Sequence, residues 1–384
     1  MAVVVGVTFL VAEGKTGDIV SELPLSAVTL SSELRAPGTM RATLDLRKVV
    51  ASVGDHRWRD YVWSDAARVM DMLTAQRHTI VPTLLDTTNG EQATTDRCLG
   101  EWWIEDVSGS HGNPVVTITG HEFAEYFRRQ QIARTWSGNL DPVHTLREMM
   151  HDATTAQEPD VLLDVLRGST SALRVDVEWQ ARSVSVLDAA RELGGGTTFE
   201  WIIQPTLQSV NGVPSKVTRQ LVLRAPRIEL GDKDYLPLEV LTPGKTPASG
   251  LDVDWSKDVD HVAHEMWSFG AGSGSDQVRS GVVTTPPAEV PTISRVVTNP
   301  TVTKGAQATV LARNARDALT RQPFTVRVDG ARMVPTVGGL RWFSREPSLS
   351  MPTGEQFTAR VVAWTWNQPR AGELDTYDVT LERI

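Results

Sequence analysis

The sequence predicts a mainly β protein with an α+β region in the middle of the chain. Two hairpins of similar pattern carry this prediction, one near residues 99–119 and the other near residues 357–381. In each, apolar and polar residues alternate on both sides of a turn rich in Gly, Pro or Asn, which is typical of strands with one buried face. Each hairpin also follows a candidate helix, at 64–73 and at 304–319. We interpret the two as one barrel-like unit used twice, although two unrelated amphipathic hairpins would give the same pattern.

Length and composition indicate a folded protein of about two to four domains. The chain has 384 residues, of which 40% are hydrophobic and 22% charged. The net charge of −9, without a run of Lys or Arg, argues against a general nucleic-acid binder. The single Cys98 excludes an intramolecular disulfide, and a small residue beside a strand is a simpler interpretation than a catalytic thiol. No apolar run has the ~20 residues of a membrane helix and the first residues do not resemble a signal peptide, so we expect folding in a cytoplasm.

Strands separated by Gly and Pro turns are predicted for the first part of the chain. Ser64 is placed to cap a helix in which Ala67, Met70 and Leu73 share one face. A polar loop at 86–96 leads from the last of these strands into the first hairpin. The strands predicted before that hairpin are Val3–Val11, Ala27–Leu34, Met40–Leu46 and Thr79–Leu85.

The first hairpin is predicted to continue into a short helix. Trp102 and Ile104 suit a half-buried strand, and the turn that follows contains two glycines, an asparagine and a proline. Gly120 is predicted to end the second strand. Phe123 and Phe127 lie four residues apart, so they share one face of the helix.

Helices and strands mix beyond residue 134, which predicts a separate α+β domain. Asp141 and Pro142 are typical of a helix start, and this helix is predicted to run to about His151. Ser185 begins a second helix, which Gly194 ends. The strands predicted here are Leu173–Trp179, Thr198–Ile203 and Arg219–Leu223.

From about residue 251 the pattern is rich in β-structure again. Thr303 is placed to cap the clearest helix of the sequence, at 304–319, and a proline-rich stretch at 284–291 is predicted to be extended. In the terminal hairpin, Val362, Trp364 and Trp366 are predicted to share one face. The other strands predicted here are Asp252–Trp255, Val262–Phe269, Phe324–Val328 and Tyr377–Leu381.

Motifs for nucleotide binding are incomplete. The segment 244–246 ends like a phosphate-binding loop, but the glycine required five residues before Gly244 is replaced by Glu239. The glycine run at 270–274 lacks the last glycine of a dinucleotide fingerprint, because Ser275 occupies that position. A flexible or close-packed loop is the simpler interpretation of this run.

Motifs for metal binding are incomplete as well. His261 and His264 with the adjacent carboxylate fit neither form of the zinc-protease helix. Four aspartates between 252 and 260 do not form a calcium loop, since Lys257 and Ala263 stand where a glycine and a glutamate are required. We therefore predict no catalytic, cofactor-binding or metal-binding residues, no cofactor and no enzymatic activity. A site assembled from distant positions would leave little local signature.

Four segments, in their order and spacing, resemble the baseplate hub or tail-tip hub proteins of long-tailed phages, known as minor tail proteins in phages of actinobacteria. The segments are Met40–Leu44, Gly100–Ile104 continuing into Gly120–Phe123, Leu187–Gly196 followed by Phe199–Trp201, and Ser268–Gly270 with the chain that follows it. Each segment is loose by itself, and together they span most of the chain.

The resemblance implies a fold similar to that of the trimeric hub of contractile phage baseplates. It implies two tail-tube-like β-barrel domains, at 1–133 and 249–384, a lateral α+β domain at 134–248, and the helix 304–319 on the outside of the second barrel. It further implies a homotrimer in the virion tail tip, with the distal tail or tail-tube ring, the tape measure protein and other tail-tip proteins as partners. Three chains with two barrels each would continue a six-fold tube, through which DNA only passes.

The net negative charge and the tryptophan content suggest two further hypotheses about function. Negative charge facing a channel would favour DNA passage, and Asp252 and Asp254 are candidates for such positions. A peripheral baseplate module that binds host cell-surface carbohydrate is an alternative function, and exposed tryptophans among the 12 in the chain would favour it. A cell-wall hydrolase in the tail tip is a third, with no sequence motif in its support.

Overall fold

A computed structural model describes most residues of the chain. The described residues are 6–34, 36–47, 69–70, 73–85, 98–110, 112–157, 164–165, 174–194, 199–210, 213–225, 228, 253–254, 263–286, 288, 291–300, 302–319, 323–329, 337–338, 340–345, 355–369 and 376–383. Within them the protein is mainly β with short helices, as the sequence predicts.

Twenty strands and four α-helices are numbered here in chain order. The strands are β1 Gly6–Glu13, β2 Ile19–Leu23, β3 Ser26–Glu33, β4 Thr39–Asp45, β5 His78–Leu85, β6 Trp102–Gly109, β7 Val115–Glu122, β8 Trp136–Leu140, β9 Asp164–Val165, β10 Val175–Trp179, β11 Glu200–Val210, β12 Val213–Arg224, β13 Val253–Asp254, β14 Glu265–Phe269, β15 Arg279–Val283, β16 Ser294–Thr298, β17 Pro323–Asp329, β18 Leu340–Arg345, β19 Glu355–Asn367 and β20 Thr376–Arg383. The helices are α1 Tyr126–Arg129, α2 Pro142–Asp152, α3 Val186–Gly194 and α4 Gly305–Leu319.

One 12-stranded sheet joins the first and the last parts of the chain. Its order is β13-β17-β20-β19-β3-β4-β7-β6-β5-β1-β2, and β18 pairs with the outer half of β19. The contact between the two parts is the antiparallel pair β19–β3, in which Thr365 lies opposite Ser31. Both predicted hairpins, β6–β7 and β19–β20, are therefore strands of the same sheet.

The large sheet curls around a single core. Trp102 on β6 and Trp364 on β19 are four strands apart, which would be about 19 Å in a flat sheet. Their ring centroids are only 6.1 Å apart, and Phe9 on β1 lies 6.4 Å from Trp366. The sheet is strongly curved as a result. Its two ends, β2 and β13, are not paired with each other in the described part of the chain.

The middle of the chain builds a second core from helices and a hairpin. Asp141 caps α2 as predicted, since its Oδ1 accepts the N–H of Val143 at 3.0 Å and that of His144 at 3.3 Å. Ser185 begins α3, where its hydroxyl accepts the N–H of Asp188 at 3.0 Å. The helices pack against each other and against the long antiparallel hairpin β11–β12, to which the short β9 adds a parallel strand.

The helix α4 packs on a small three-stranded sheet of order β15-β14-β16. Met266 forms a separate core there with Ala312 and Ala315, and the Ser268 hydroxyl donates to the carbonyl of Ala308 at 2.6 Å. The predicted helix is confirmed, but the surface it covers in the described residues is this small sheet. The resemblance to hub proteins places this helix on the outside of a tube-like barrel, and that placement stays a prediction. β15 and β16 were not predicted as strands, and each has only five residues.

Gly120 does not end its strand, contrary to the prediction. β7 continues through it to Glu122, and Gly120 pairs with Ile104 of β6. A Cβ on Gly120 would lie 2.2 Å from the carbonyl oxygen of Trp103, so the glycine permits a close approach of the two strands. Glycine here serves sheet packing and does not mark a turn.

The inward face of the terminal hairpin also differs from prediction. A β-bulge lies between Val361 and Ala363, so the side-chain alternation shifts by one residue at Val362. Val361, Trp364 and Trp366 are buried, whereas Val362 is only partly buried. The tryptophans therefore keep their predicted common face and Val362 does not share it.

Other predicted elements are confirmed in part. The middle hairpin is much longer than predicted, and β2 was not predicted at all. Of the helix predicted at 64–73, Val69 and Met70 are helical and the N–H of Leu73 donates to the Val69 carbonyl at 3.0 Å. The remainder of that helix and the polar loop at 86–96 lie outside the described residues.

Candidate functional site

The hairpin β11–β12 is the element through which the middle of the chain meets the large sheet. Trp201 and Leu221 point into the core with the helices α2 and α3. Val222 belongs to the core of the large sheet. Further along, Leu207 and Val217 pack against strands β1 and β5. Both faces of the hairpin are thus buried, which makes this junction the candidate functional site of a protein whose sequence predicts no catalytic residue.

A buried ion pair holds one strand of the hairpin. Arg219 on β12 donates from Nε and Nη2 to the two carboxylate oxygens of Glu101, at 2.7 and 2.6 Å. The side chains of Arg219 and Glu101 are 0% and 1% exposed. Thr79 donates a further hydrogen bond to Glu101 at 2.7 Å, and the guanidinium lies 4.0 Å from the ring centroid of Phe123. The pair is bidentate and well supplied with partners, the arrangement in which buried charges are tolerated.

A second buried ion pair holds the other strand. Arg360 on β19 donates to both carboxylate oxygens of Glu200 on β11, at 2.5 and 2.8 Å. Arg360 also donates from Nε to Glu382 at 2.8 Å, and the N–H of Ile228 donates to Glu200 at 2.8 Å. Burial lowers the pKa of Arg360, but the hydrogen bonds and negative charges of Glu200 and Glu382 outweigh this and raise it above its usual value. The guanidinium stays charged throughout the physiological range.

Together the two ion pairs, which we call the junction pairs, fasten the hairpin to distant parts of the large sheet. Glu101 immediately precedes β6, a strand of the first part of the chain, whereas Arg360 is in β19, a strand of the last part. The hairpin is therefore fixed to both. A hydrophobic contact tolerates sliding, but a bidentate pair sets position and direction. The arrangement favours a rigid joint over a hinge.

A small cavity of about 20 Å³ lies beside the junction, between the end of β7 and the hairpin. Glu122 lines it, and its carboxylate accepts the N–H of Gly38 at 2.8 Å. Burial of the carboxyl raises the pKa of Glu122 to about 7, and nearby Glu33 adds to this while Ser32 and Gly38 oppose it. The cavity is water-sized and is not large enough for a cofactor.

A larger cleft of about 190 Å³ lies between β6, α1 and the turn after β1. Its charges are internally compensated: Glu105 contacts His121 at 2.7 Å and Arg129 at 2.8 Å, and Glu125 pairs with Arg128. The lining residues are Lys15, Gln76, Trp103, Glu105, Glu125, Tyr126, Arg129 and Gln130. No constellation of nucleophile, base and orienting group is formed by these residues.

Cys98 and His264, two residues of interest in the sequence, have structural roles. Cys98 is partly buried, its thiol donates to the Gly100 carbonyl at 3.2 Å, and desolvation raises its pKa to about 12. Such a thiol is unreactive at neutral pH. His264 accepts the N–H of Ile293 on Nδ1 at 3.0 Å, which fits a structural role in a turn. In the described part of the chain, no three His, Cys, Asp or Glu side chains are grouped to hold a metal ion.

The glycine run at 270–274 is a close-packed loop. A Cβ on Gly270 would lie 2.2 Å from the carbonyl oxygen of Val302, and Gly272 and Gly274 have φ of 94° and 60°. The glycines are thus required by the backbone. The segment 244–246 and the residues Asp258, Asp260 and His261 lie outside the described residues.

Most described tryptophans are buried. Trp136 is partly exposed, and Trp267 is 39% exposed. The buried ones are Trp102, Trp103, Trp179, Trp201, Trp364 and Trp366. These six serve the cores and do not form a stacking surface for sugar rings, an observation that counts against the carbohydrate-binding alternative.

The junction pairs were not predicted from the sequence. Glu200 stands between Phe199 and Trp201, and Arg360 stands in a strand of apolar residues. A charged residue at an inward position of an apolar strand is rare unless it is paired, so each of these residues indicates a buried ion pair. The sequence does not identify the partner, because Glu200 and Arg360 are 160 residues apart.

Three solved structures of tail proteins match nearly the whole chain. The tail protein from Neisseria meningitidis matches with a TM-score of 0.55 at 11% identity, over 98% of this chain and 96% of that one. The 43 kDa tail protein of prophage MuSo2 from Shewanella oneidensis gives 0.54 at 11% identity, over 98% of each chain. The chain shares the fold of these tail proteins. The prophage tail protein gp18 from Listeria monocytogenes gives 0.53 at 9% identity, over 98% of this chain and 94% of that one.

At such identities the likeness concerns the fold alone. No family model matches the sequence, and no curated protein matches it significantly. No helix in the described ranges has the length and hydropathy needed to cross a bilayer.

Proposed function

We propose that this protein is a structural subunit of a phage tail, a baseplate hub that continues the tail-tube channel and connects it to the tail tip. The observation that carries the proposal is the match of the fold to tail proteins over 98% of the chain. The likeness extends over nearly the whole chain, which supports a structural role for the chain as a whole. The proposal includes the absence of enzymatic activity and of a cofactor.

The proposed assembly is a homotrimer in the tail tip of the virion. The curved 12-stranded sheet supports tube-like units, because tryptophan rings from strands four positions apart meet across its concave face, with centroids 6.1 Å apart. In this proposal the domains are 1–133, 134–248 and 249–384; the first and the last each contribute one part of the curved sheet, and three chains supply six such parts around the channel. Carboxylates that face the lumen would keep DNA from binding; of the two candidates, Asp252 and the side chain of Asp254 lie outside what the structure describes.

The proposed partners are the distal tail or tail-tube ring, the tape measure protein and other tail-tip proteins. The rigid attachment of the middle region at the junction pairs suits this role, because a hub must transmit load between the tube and the parts below it without bending. A peripheral module that binds cell-surface carbohydrate is the alternative, and the exposed Trp267 favours it.

The mass of the purified protein in solution tests the proposal. It is measured across a concentration series, alone and with the tail-tube-side partner. A trimer, alone or on the partner ring, supports the hub. A chain that remains monomeric with the partner present contradicts it and favours the peripheral module, for which sugar-binding screens are then the next step.

A further inference from the structure

The small three-stranded sheet has one face that no element in the described ranges covers. Helix α4 packs on the opposite face, where Met266 and Ser268 of β14 contact it. Trp267 stands between these two residues, so its side chain points away from α4, and it is 39% exposed. We call the face that carries Trp267 the outer face.

The ring of Trp267 lies flat on the neighbouring strand. Gly281 of β15 is directly opposite Trp267. A Cβ on Gly281 would lie 2.8 Å from Cε3 of the ring and 3.0 Å from Cδ2 and Cζ3. The glycine therefore makes room for the ring, which turns one flat side to the strand and the other outward. Val283 on β15 and Val296 on β16, each 62% exposed, extend the apolar surface on either side.

Two charged side chains lie on the outer face, one towards each end. Glu265 is two residues before Trp267 on β14, so their Cα atoms are about 7 Å apart. The Glu265 Oε2 accepts the hydroxyl of Ser294 at 2.5 Å, and among the described residues nothing donates to its Oε1. Arg279 is exposed and is the diagonal neighbour of Trp267 on β15, about 7–8 Å away. In the described ranges its guanidinium has no acidic partner.

The size and the charges of the outer face argue against a protein partner. Three strands of five residues cover about 14 by 16 Å, or about 230 Å². A stable protein interface takes about 800 Å² from each partner. A protein that docked here would also desolvate Glu265 and Arg279, which is costly unless it brought a matching charge to each. The outer face suits a small ligand with hydrogen-bonding groups around an apolar centre.

A neutral sugar residue has this chemistry. The C–H groups on one side of its ring carry partial positive charge, which the negative face of an aromatic ring attracts. Its hydroxyls both donate and accept, so they can bond to a carboxylate at one end and to a guanidinium at the other. A nucleobase would stack equally well, but the net charge of −9 repels the phosphates that accompany it.

We infer that the outer face binds one residue of a neutral polysaccharide, stacked on Trp267 with its hydroxyls bonded to Glu265 and Arg279. The aromatic ring is the platform, and the two charged groups select the orientation of the sugar. This site needs the exposed Trp267 and none of the buried tryptophans. It goes beyond the proposed hub, which requires no ligand, and it does not depend on that function.

Binding of the full chain to a glycan array tests the site. The probe is a printed array of neutral and acidic bacterial oligosaccharides, and the strongest neutral ligand is then titrated in solution by calorimetry. We expect Trp267→Ala to abolish binding, and Trp267→Phe, which keeps an aromatic ring, to retain part of it. Glu265→Gln should weaken binding about tenfold or more, because a hydrogen bond to a charged group is lost. The melting temperature of each variant shows that it is folded.

Val210→Ser is the matched control, because Val210 on β11 is 62% exposed and belongs to a different sheet. It should leave binding unchanged. Absence of binding to every neutral glycan, or binding that persists in Trp267→Ala, overturns the site. Binding confined to acidic glycans overturns it as well.

The site and the hub fail in different measurements. A trimer by mass that binds no neutral glycan overturns the site and leaves the hub intact. A chain that stays monomeric with its tail-tube-side partner, and that binds a neutral glycan through Trp267, supports the site and contradicts the hub.

Discussion

Removal of one partner of a junction pair is the substitution whose effect follows most directly from the structure. Arg219→Met keeps an unbranched apolar stem but deletes the guanidinium that donates two hydrogen bonds to Glu101. The Glu101 side chain is 1% exposed, so its charge cannot be hydrated in the folded protein, and Thr79 remains as its neutral donor. A buried charge that loses its partner costs about 3–5 kcal/mol in the free energy of unfolding.

The double substitution Glu101→Leu with Arg219→Met is expected to recover most of that loss. Apolar side chains of similar volume often replace a buried ion pair at little cost. The hydroxyl of Thr79 then lacks its acceptor, which leaves a cost of about 1–3 kcal/mol. Adding Thr79→Val removes this orphaned hydroxyl and brings the triple variant close to the wild type. The order of stability is therefore wild type, triple, double and single variant.

Urea denaturation followed by tryptophan fluorescence measures these differences. The control is Arg191→Met, because Arg191 and its partner Asp188 are 42% and 53% exposed and 3.6 Å apart. Exposed pairs are worth less than about 1 kcal/mol. A loss of less than 1 kcal/mol in Arg219→Met, or a double variant less stable than the single one, would contradict the account of the junction.

Three further outcomes are expected. The pKa of Glu122 is raised in the folded state to about 7, above its unfolded value, so its contribution to stability is complete below about pH 4.5 and is lost as the pH rises through 7. Glu122→Gln should therefore flatten the fall of the melting temperature between pH 5 and 8, and an unchanged slope would contradict the raised pKa. Cys98 should react slowly with a thiol reagent at pH 8 in the folded protein and faster in urea; fast labelling without denaturant would contradict the raised pKa of the thiol. Asp141→Ala should lower the free energy of unfolding by about 0.5–2 kcal/mol, because the cap of α2 is lost. Asp141→Asn keeps an acceptor and should lower it less. Equal losses in the two variants would show that the cap bonds do not stabilise the helix.

The sequence was sufficient where a feature is decided by neighbouring residues. The cap at Asp141, the start of α3 at Ser185 and the alternation of Trp364 and Trp366 all depend on residues within one turn or one strand, and the structure confirms them. The mainly β class follows from the sum of such local patterns. The resemblance to hub proteins predicted a protein of the phage tail. The fold comparisons agree with this coarser prediction.

Features that depend on distant residues were not predicted. The pair β19–β3 brings Thr365 beside Ser31, and nothing local marks either strand as the other's neighbour. A glycine is needed at position 120 within the strand because a Cβ there would lie 2.2 Å from the carbonyl oxygen of Trp103, a contact that only the sheet reveals. The junction pairs are of the same kind, since the inward charge of Glu200 is visible in the sequence and its partner is not. Short strands such as β15 contain too few residues for an alternation of apolar and polar side chains to be recognised.

Electron cryomicroscopy of tail tips from virions that carry this protein would locate its copies relative to the tail channel. We predict three copies around the tail axis, directly below the tube, with their curved sheets enclosing the channel and the junction pairs holding each middle region at the side. Copies found only at the periphery of the baseplate, away from the channel, would contradict the hub.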